Sequence, residues 1–146
     1  MYAVILFLHV LGATIWVGGH LVLAVCWLPG ILRDRAPAPL LAFEQRFERL
    51  GMSALALQVV TGLWMAHQLV PDVGQWLHPQ SPLAHVIALK LGLLLATAAV
   101  AVHARLRVLP RLTPATLPLM AGHVLAVTAL GVAFVGAGVA LRFGGF

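Results

Sequence analysis

Apolar residues run almost unbroken through four stretches of the chain, at about 2–28, 50–70, 83–104 and 117–141, and polar residues collect between them. Each stretch reaches the roughly 20 residues a helix needs to cross about 30 Å of hydrocarbon. Lipid offers the backbone no hydrogen-bond partner, so a spanning segment must satisfy itself as a helix. The pattern therefore predicts an all-α fold: one domain over 1–146, an integral-membrane four-helix bundle. Pro29-Gly30 and Pro71-Asp72 are expected to end the first two helices, and Ser81-Pro82 to open the third. A segment at about 40–49 (LLAFEQRFER) mixes apolar and charged residues at helical spacing, as expected of an interfacial helix leading into the second span.

Composition agrees with this reading. Charged residues make up 9% of the chain, against about 25% in a soluble domain. The net charge of +5 does not imply a nucleic-acid partner, because the basic residues form two short loops rather than one face. Arg33, Arg35, Arg46 and Arg49 lie between the first two spans, and Arg105, Arg107 and Arg111 between the last two. The loop from Pro71 to Pro82 has no lysine or arginine. By the positive-inside rule the arginine loops face the cytoplasm and both termini are external, as in a bacterial inner-membrane protein. The apolar run at the N-terminus is too long, and too poor in basic residues, for a cleaved signal peptide. The one cysteine, Cys26, excludes an intrachain disulfide.

The chemistry lies in ionisable groups within the spans, where such groups are costly and usually functional. His9, His20, His67, His103 and His123 fall inside or at the edge of the spans, His85 at the entrance to the third, and His78 in the external loop. Lys90 is the only lysine. Helix rise sorts these groups into two layers. His9, Lys90 and His67 lie about 5–10 Å below the external surface, with His85 at the rim; His20, His103 and His123 lie near about 27 Å. His9 and His20 share a helix face with Trp16 between them, and His85 and His103 share another. A bundle turning those faces inward would stack two polar sites. A histidine at a membrane edge can also simply meet a headgroup, and Lys90 can snorkel. Trp16, Trp27, Trp64 and Trp76 read as packing or interface anchors. Gln58 and Thr61 read as partners in hydrogen bonds between or within helices, and the small residues of the last span as a close-packing face that also suits a homo-oligomer.

Imidazole ligates copper, zinc and haem iron. The spans hold no Asp or Glu to favour zinc and no spaced Met or Cys series to favour a soft copper conduit. Haem is therefore somewhat favoured, clamped between histidines on facing helices. No nucleophile–base pair, phosphate loop or carboxylate pair is present.

His9-Val10 … Trp16-Val17-Gly18-Gly19 followed by Leu28-Pro29, Phe47-Glu48-Arg49-Leu50-Gly51 with Thr61-Gly62-Leu63, and Ala88-Leu89-Lys90-Leu91 followed by His103 together resemble the CopD-type copper-resistance membrane proteins. They also resemble the more distant HemJ-type protoporphyrinogen oxidases. The first resemblance implies copper movement or copper tolerance. The second implies haem b and membrane redox chemistry, with His9 and Lys90 as functional residues, Lys90 in a catalytic role.

The expectation is a protein binding one or two haem b groups through His9, His20, His67, His103 and His123 for electron transfer with a quinone or respiratory partner. The alternative is copper handling through the same histidines and His85. A third reading is a structural subunit of a membrane complex.

Overall fold

The computed structural model of the chain describes residues 1–144. It is all-helical, and four helices are long and apolar enough to cross a membrane: α1 (Tyr2–Asp34), α2 (Pro37–Leu69), α3 (Pro82–Arg111) and α4 (Leu117–Arg142). A single turn of helix, Gly74–Leu77, lies between α2 and α3. The Asp72 carboxylate accepts the Gly74 N–H at 2.9 Å, and the Trp76 indole donates to the Val70 carbonyl at 2.9 Å, which pins this loop to the end of α2.

Three helices are longer than the hydrophobic pattern predicts. Pro29-Gly30 does not end α1, which continues to Asp34 through a π-helical turn at Leu23–Trp27. A proline in a helix collides with the carbonyl four residues back. For Pro29 that carbonyl belongs to Val25, inside the wider π turn, so the helix continues. The same arrangement recurs in α3, where a π turn at Ala104–Val108 precedes Pro110 and contains Leu106, four residues before it. The amphipathic segment at 40–49 is not a separate interfacial helix either. It is continuous with the second span as the 33-residue α2, because no residue between Leu40 and Leu69 breaks the helix. At 1.5 Å per residue, α1 and α2 are each about 50 Å long, about 20 Å more than the hydrocarbon they cross.

The excess lies at the arginine end and has its own core. Leu23, Leu28 and Ile31 of α1, Leu40 of α2, Val108 of α3 and Leu117 of α4 are among its buried residues. Both π turns lie in it. The tight connection Arg35-Ala36 joins α1 to α2, with Arg35 in the left-handed region (φ 49°) and the Ala36 N–H bonded to the Ile31 carbonyl at 3.2 Å.

In the bundle α2 packs on α1, α1 on α4 and α4 on α3. The α2 and α3 backbones scarcely approach each other. Side chains join this pair at its two ends. Ala66 of α2 and Val70, which caps it, meet Ala84 and Ile87 of α3 at one end. At the other, the Arg105 guanidinium is clamped by Glu44, at 3.8 Å, and Glu48.

Candidate functional site

Close packing of α1 on α2 rests on three glycine notches, each filled by a chemically distinctive side chain. Gln58 of α2 lies over Gly12, where an added Cβ would meet its Cγ at 2.9 Å. His9 of α1 lies over Gly62, with its Cε1 3.1 Å from such a Cβ. The Phe47 ring occupies the space a Cβ on Gly19 would need, at 2.2 Å, and also presses on Gly51. Small residues let helices approach in lipid; here they also seat a histidine, an amide and an aromatic ring inside the bundle.

His9 is the best-defined interior donor. Its Nδ1 lies 2.9 Å from the Thr61 hydroxyl oxygen. That hydroxyl gives its own hydrogen to the Leu57 carbonyl at 2.6 Å, so toward His9 it accepts. His9 must then carry its proton on Nδ1 and keep Nε2 as a bare lone pair. Thr61 is buried and fixes both tautomer and ring orientation, as outer partners of metal-ligating histidines do. Lys90 of α3, partly buried, lies in electrostatic range of His9, with its Nζ 3.8 Å from the Cβ position of Gly138 on α4. No carboxylate among the described residues pairs with it. Further along the inward face of α3, seven residues from Lys90, the buried Thr97 hydroxyl (1% exposed) has no hydrogen-bond partner among the described residues.

His20 is poised in the same way one level further in. A carbonyl can only accept, so the 2.8 Å contact from Nδ1 to the Trp16 carbonyl puts the proton there and leaves Nε2 free. Trp16 packs against the His20 ring with centroids 4.6 Å apart and the planes tilted by 46°, and Phe47 covers it edge-on at 5.7 Å. Phe43 in turn stacks on Phe47 at 5.3 Å.

His103 and His123 meet each other directly. The His103 Nδ1 lies 2.8 Å from the His123 Nε2, with the ring planes 14° apart and the centroids 5.0 Å apart. That separation is about the N···N distance plus one imidazole radius on each side, so the rings lie edge to edge along a true N–H···N line rather than face to face. His123 gives its Nδ1 proton to the Leu119 carbonyl at 2.8 Å, so His103 is the donor between the rings.

Of the layers expected from helix rise, the structure therefore brings His103 and His123 into direct contact and leaves Lys90 within electrostatic range of His9. The face shared by His9 and His20 turns inward with Trp16, as expected. The face shared by His85 and His103 turns outward: both are exposed, because α3 presents Ala84, Ile87, Thr97 and Ala104 to the bundle instead. His85 bonds the Ser81 carbonyl at 2.9 Å. His67 is exposed near the end of α2. No group of three or more His, Cys, Asp or Glu side chains converges among the described residues. Phe47 and Thr61 carry more of the site than their sequence context suggested. For Phe47 the usable signal was Gly19 on the facing helix; for Thr61 it was a hydroxyl inside an apolar span.

These features define a class: a four-span helical membrane protein carrying single, oriented nitrogen donors at separate depths. The comparisons name it further. The family model for copper resistance protein D (CopD) matches residues 41–141, and the chain belongs to that family. The match covers most of α2, all of α3 and nearly all of α4, including His67, His85, Lys90, His103 and His123; His9 and His20 precede it. No curated protein and no solved structure matches the chain.

Proposed function

We propose that this CopD protein handles copper(I) within the membrane, with His9 as the principal interior ligand. The observation that carries this reading is the His9–Thr61–Leu57 chain, which presents a bare Nε2 inside the bundle. Copper(I) tolerates low coordination numbers and nitrogen donors, so it can be passed between single histidines. His20, with its own free Nε2 three turns away, is the next station, and the unpartnered Thr97 hydroxyl adds polarity to the interior. Lys90 supplies selectivity. Its charge repels a divalent ion twice as strongly as a monovalent one at equal distance, so copper(I) is favoured over zinc or copper(II). In this reading the arginine-bearing loops lie in the cytoplasm of a bacterium and both termini outside its inner membrane, an orientation that the charge asymmetry supports.

Haem b and electron transfer, the HemJ-like reading, draw less support. A haem held by two histidines needs facing nitrogens at one level with a slot between them. His9 and His20 stand on one helix, Trp16 packs against Gly131 between their levels, and the His103 and His123 rings already touch.

The test is copper(I) binding by the purified protein against a competing chelator, alongside its visible spectrum. His9→Ala should lose the high-affinity copper, and Lys90→Met should keep it while gaining zinc. Copper affinity unchanged in His9→Ala would reject the site. A reducible Soret band lost in His9→Ala would transfer the reading to haem.

A further inference from the structure

The three arginines that follow His103 are sorted by the π turn. Arg105 turns toward α2 and is held by Glu44 and Glu48. Arg107 and Arg111 turn the other way, and neither has a carboxylate partner among the described residues. With His103, Val108, Thr116 and Leu119 they line a concave pocket of about 330 Å³. Its wall is fixed: the Thr116 hydroxyl donates to the Arg111 carbonyl at 2.9 Å and accepts the Thr113 N–H at 2.9 Å. Its floor is apolar, and beyond it Val102, Leu106 and Leu119 are exposed along α3 and α4.

We propose that this pocket binds the phosphate of an anionic phospholipid. Two unpaired guanidiniums match phosphate oxygens in charge and in planar donor geometry. His103 also lines the pocket, and with its Nδ1 committed to His123 its Nε2 is left without a partner among the described residues. The occupant is a lipid rather than a free phosphate because the cationic mouth opens onto lipid-facing apolar surface, where an acyl chain would lie. The pocket sits at the end of the bundle that bears the arginines, the side on which the positive-inside rule places cytoplasmic headgroups. This assignment does not depend on copper.

The experiment uses the full chain, delipidated in detergent, with short-chain phosphatidylglycerol and phosphatidylcholine titrated and bound lipid counted by native mass spectrometry. Wild type should prefer phosphatidylglycerol. The double variant Arg107→Gln/Arg111→Gln should bind it about 30-fold more weakly and each single variant about 5-fold. A control of equal charge loss, Arg46→Gln/Arg49→Gln, at exposed arginines of α2, should stay within about two-fold of wild type. Equal loss in both double variants, or no preference between the lipids in wild type, overturns the proposal. A third arm adds inorganic phosphate. If phosphate alone binds in an Arg107- and Arg111-dependent way and displaces the lipid, the site serves a soluble anion and the lipid assignment is wrong. The single variants keep the test valid should the double variant fold poorly.

Discussion

Replacing Thr61 by valine isolates the tautomer argument from the presence of the ligand itself. Valine fills nearly the same volume, so the glycine-notched packing of α1 on α2 is kept. What is lost is one hydroxyl in a site only 4% exposed. The Leu57 carbonyl keeps its helical N–H partner, so losing the 2.6 Å bond there costs little. The His9 Nδ1–H is different: it loses its acceptor at 2.9 Å and is left in an apolar interior. An unsatisfied buried donor costs about 1–3 kcal/mol. The imidazole escapes part of that cost by moving its proton to Nε2 or rotating, and either change removes the lone pair that faces the interior. Outer-partner losses of this kind lower metal affinity by about 10–100-fold. Thr61→Val should therefore bind copper(I) about 10–100-fold more weakly in chelator competition, while Thr61→Ser, which keeps the hydroxyl, should stay close to wild type. Wild-type affinity in Thr61→Val would refute the reasoning. So would a serine variant as weak as the valine one, because packing rather than the proton would then set the affinity.

Further outcomes follow from the glycine-notched packing and from the charge asymmetry. In Gly19→Ala the new Cβ would lie 2.2 and 2.4 Å from Phe47 ring carbons, so the ring must leave its notch; thermal unfolding should show a loss of about 1–3 kcal/mol. His20, uncovered, should react faster with an imidazole acylating reagent, and adding Phe47→Ala should give a double variant less destabilised than the sum of the singles. For topology, a cysteine at Arg35 should be labelled by a membrane-impermeant maleimide only after permeabilisation, and one at Gln75 in intact cells; labelling of position 35 from outside would reverse the orientation.

The four spans were legible because lipid imposes a length and an apolar content that few other environments demand. The interior faces were much less so. Lipid tails are as apolar as a protein core, so the contrast that marks the inner face of a soluble helix is nearly absent here. Helical spacing placed His85 and His103 on one face but carried no sign of whether that face met lipid or protein. Depth was more readable: rise arithmetic brought His103 level with His123 and Lys90 level with His9. The ends of α1 and α3 were misplaced for a different reason. Pro29 and Pro110 are stop signals only on a regular helix, and a π turn ahead of each removes the clash. The Thr61 tie to His9 is a contact across 52 residues of sequence, which no local pattern encodes.

The π turns also couple the length of the chain to its prolines at two places. A π turn amounts to a helix holding one residue more than its hydrogen bonding needs. Deleting a single residue within Leu23–Trp27 would let α1 close into regular α-helix and leave the residues after it on about the same face, because the wide turn already absorbs the roughly 100° of the extra residue. Leu28 and Ile31, 2% and 5% exposed, would keep their places in the core, but the proline would meet an ordinary carbonyl and clash with it. The same holds for Ala104–Val108, ahead of Pro110. Homologues that have lost one residue from either five-residue turn should therefore also have lost the proline that follows it.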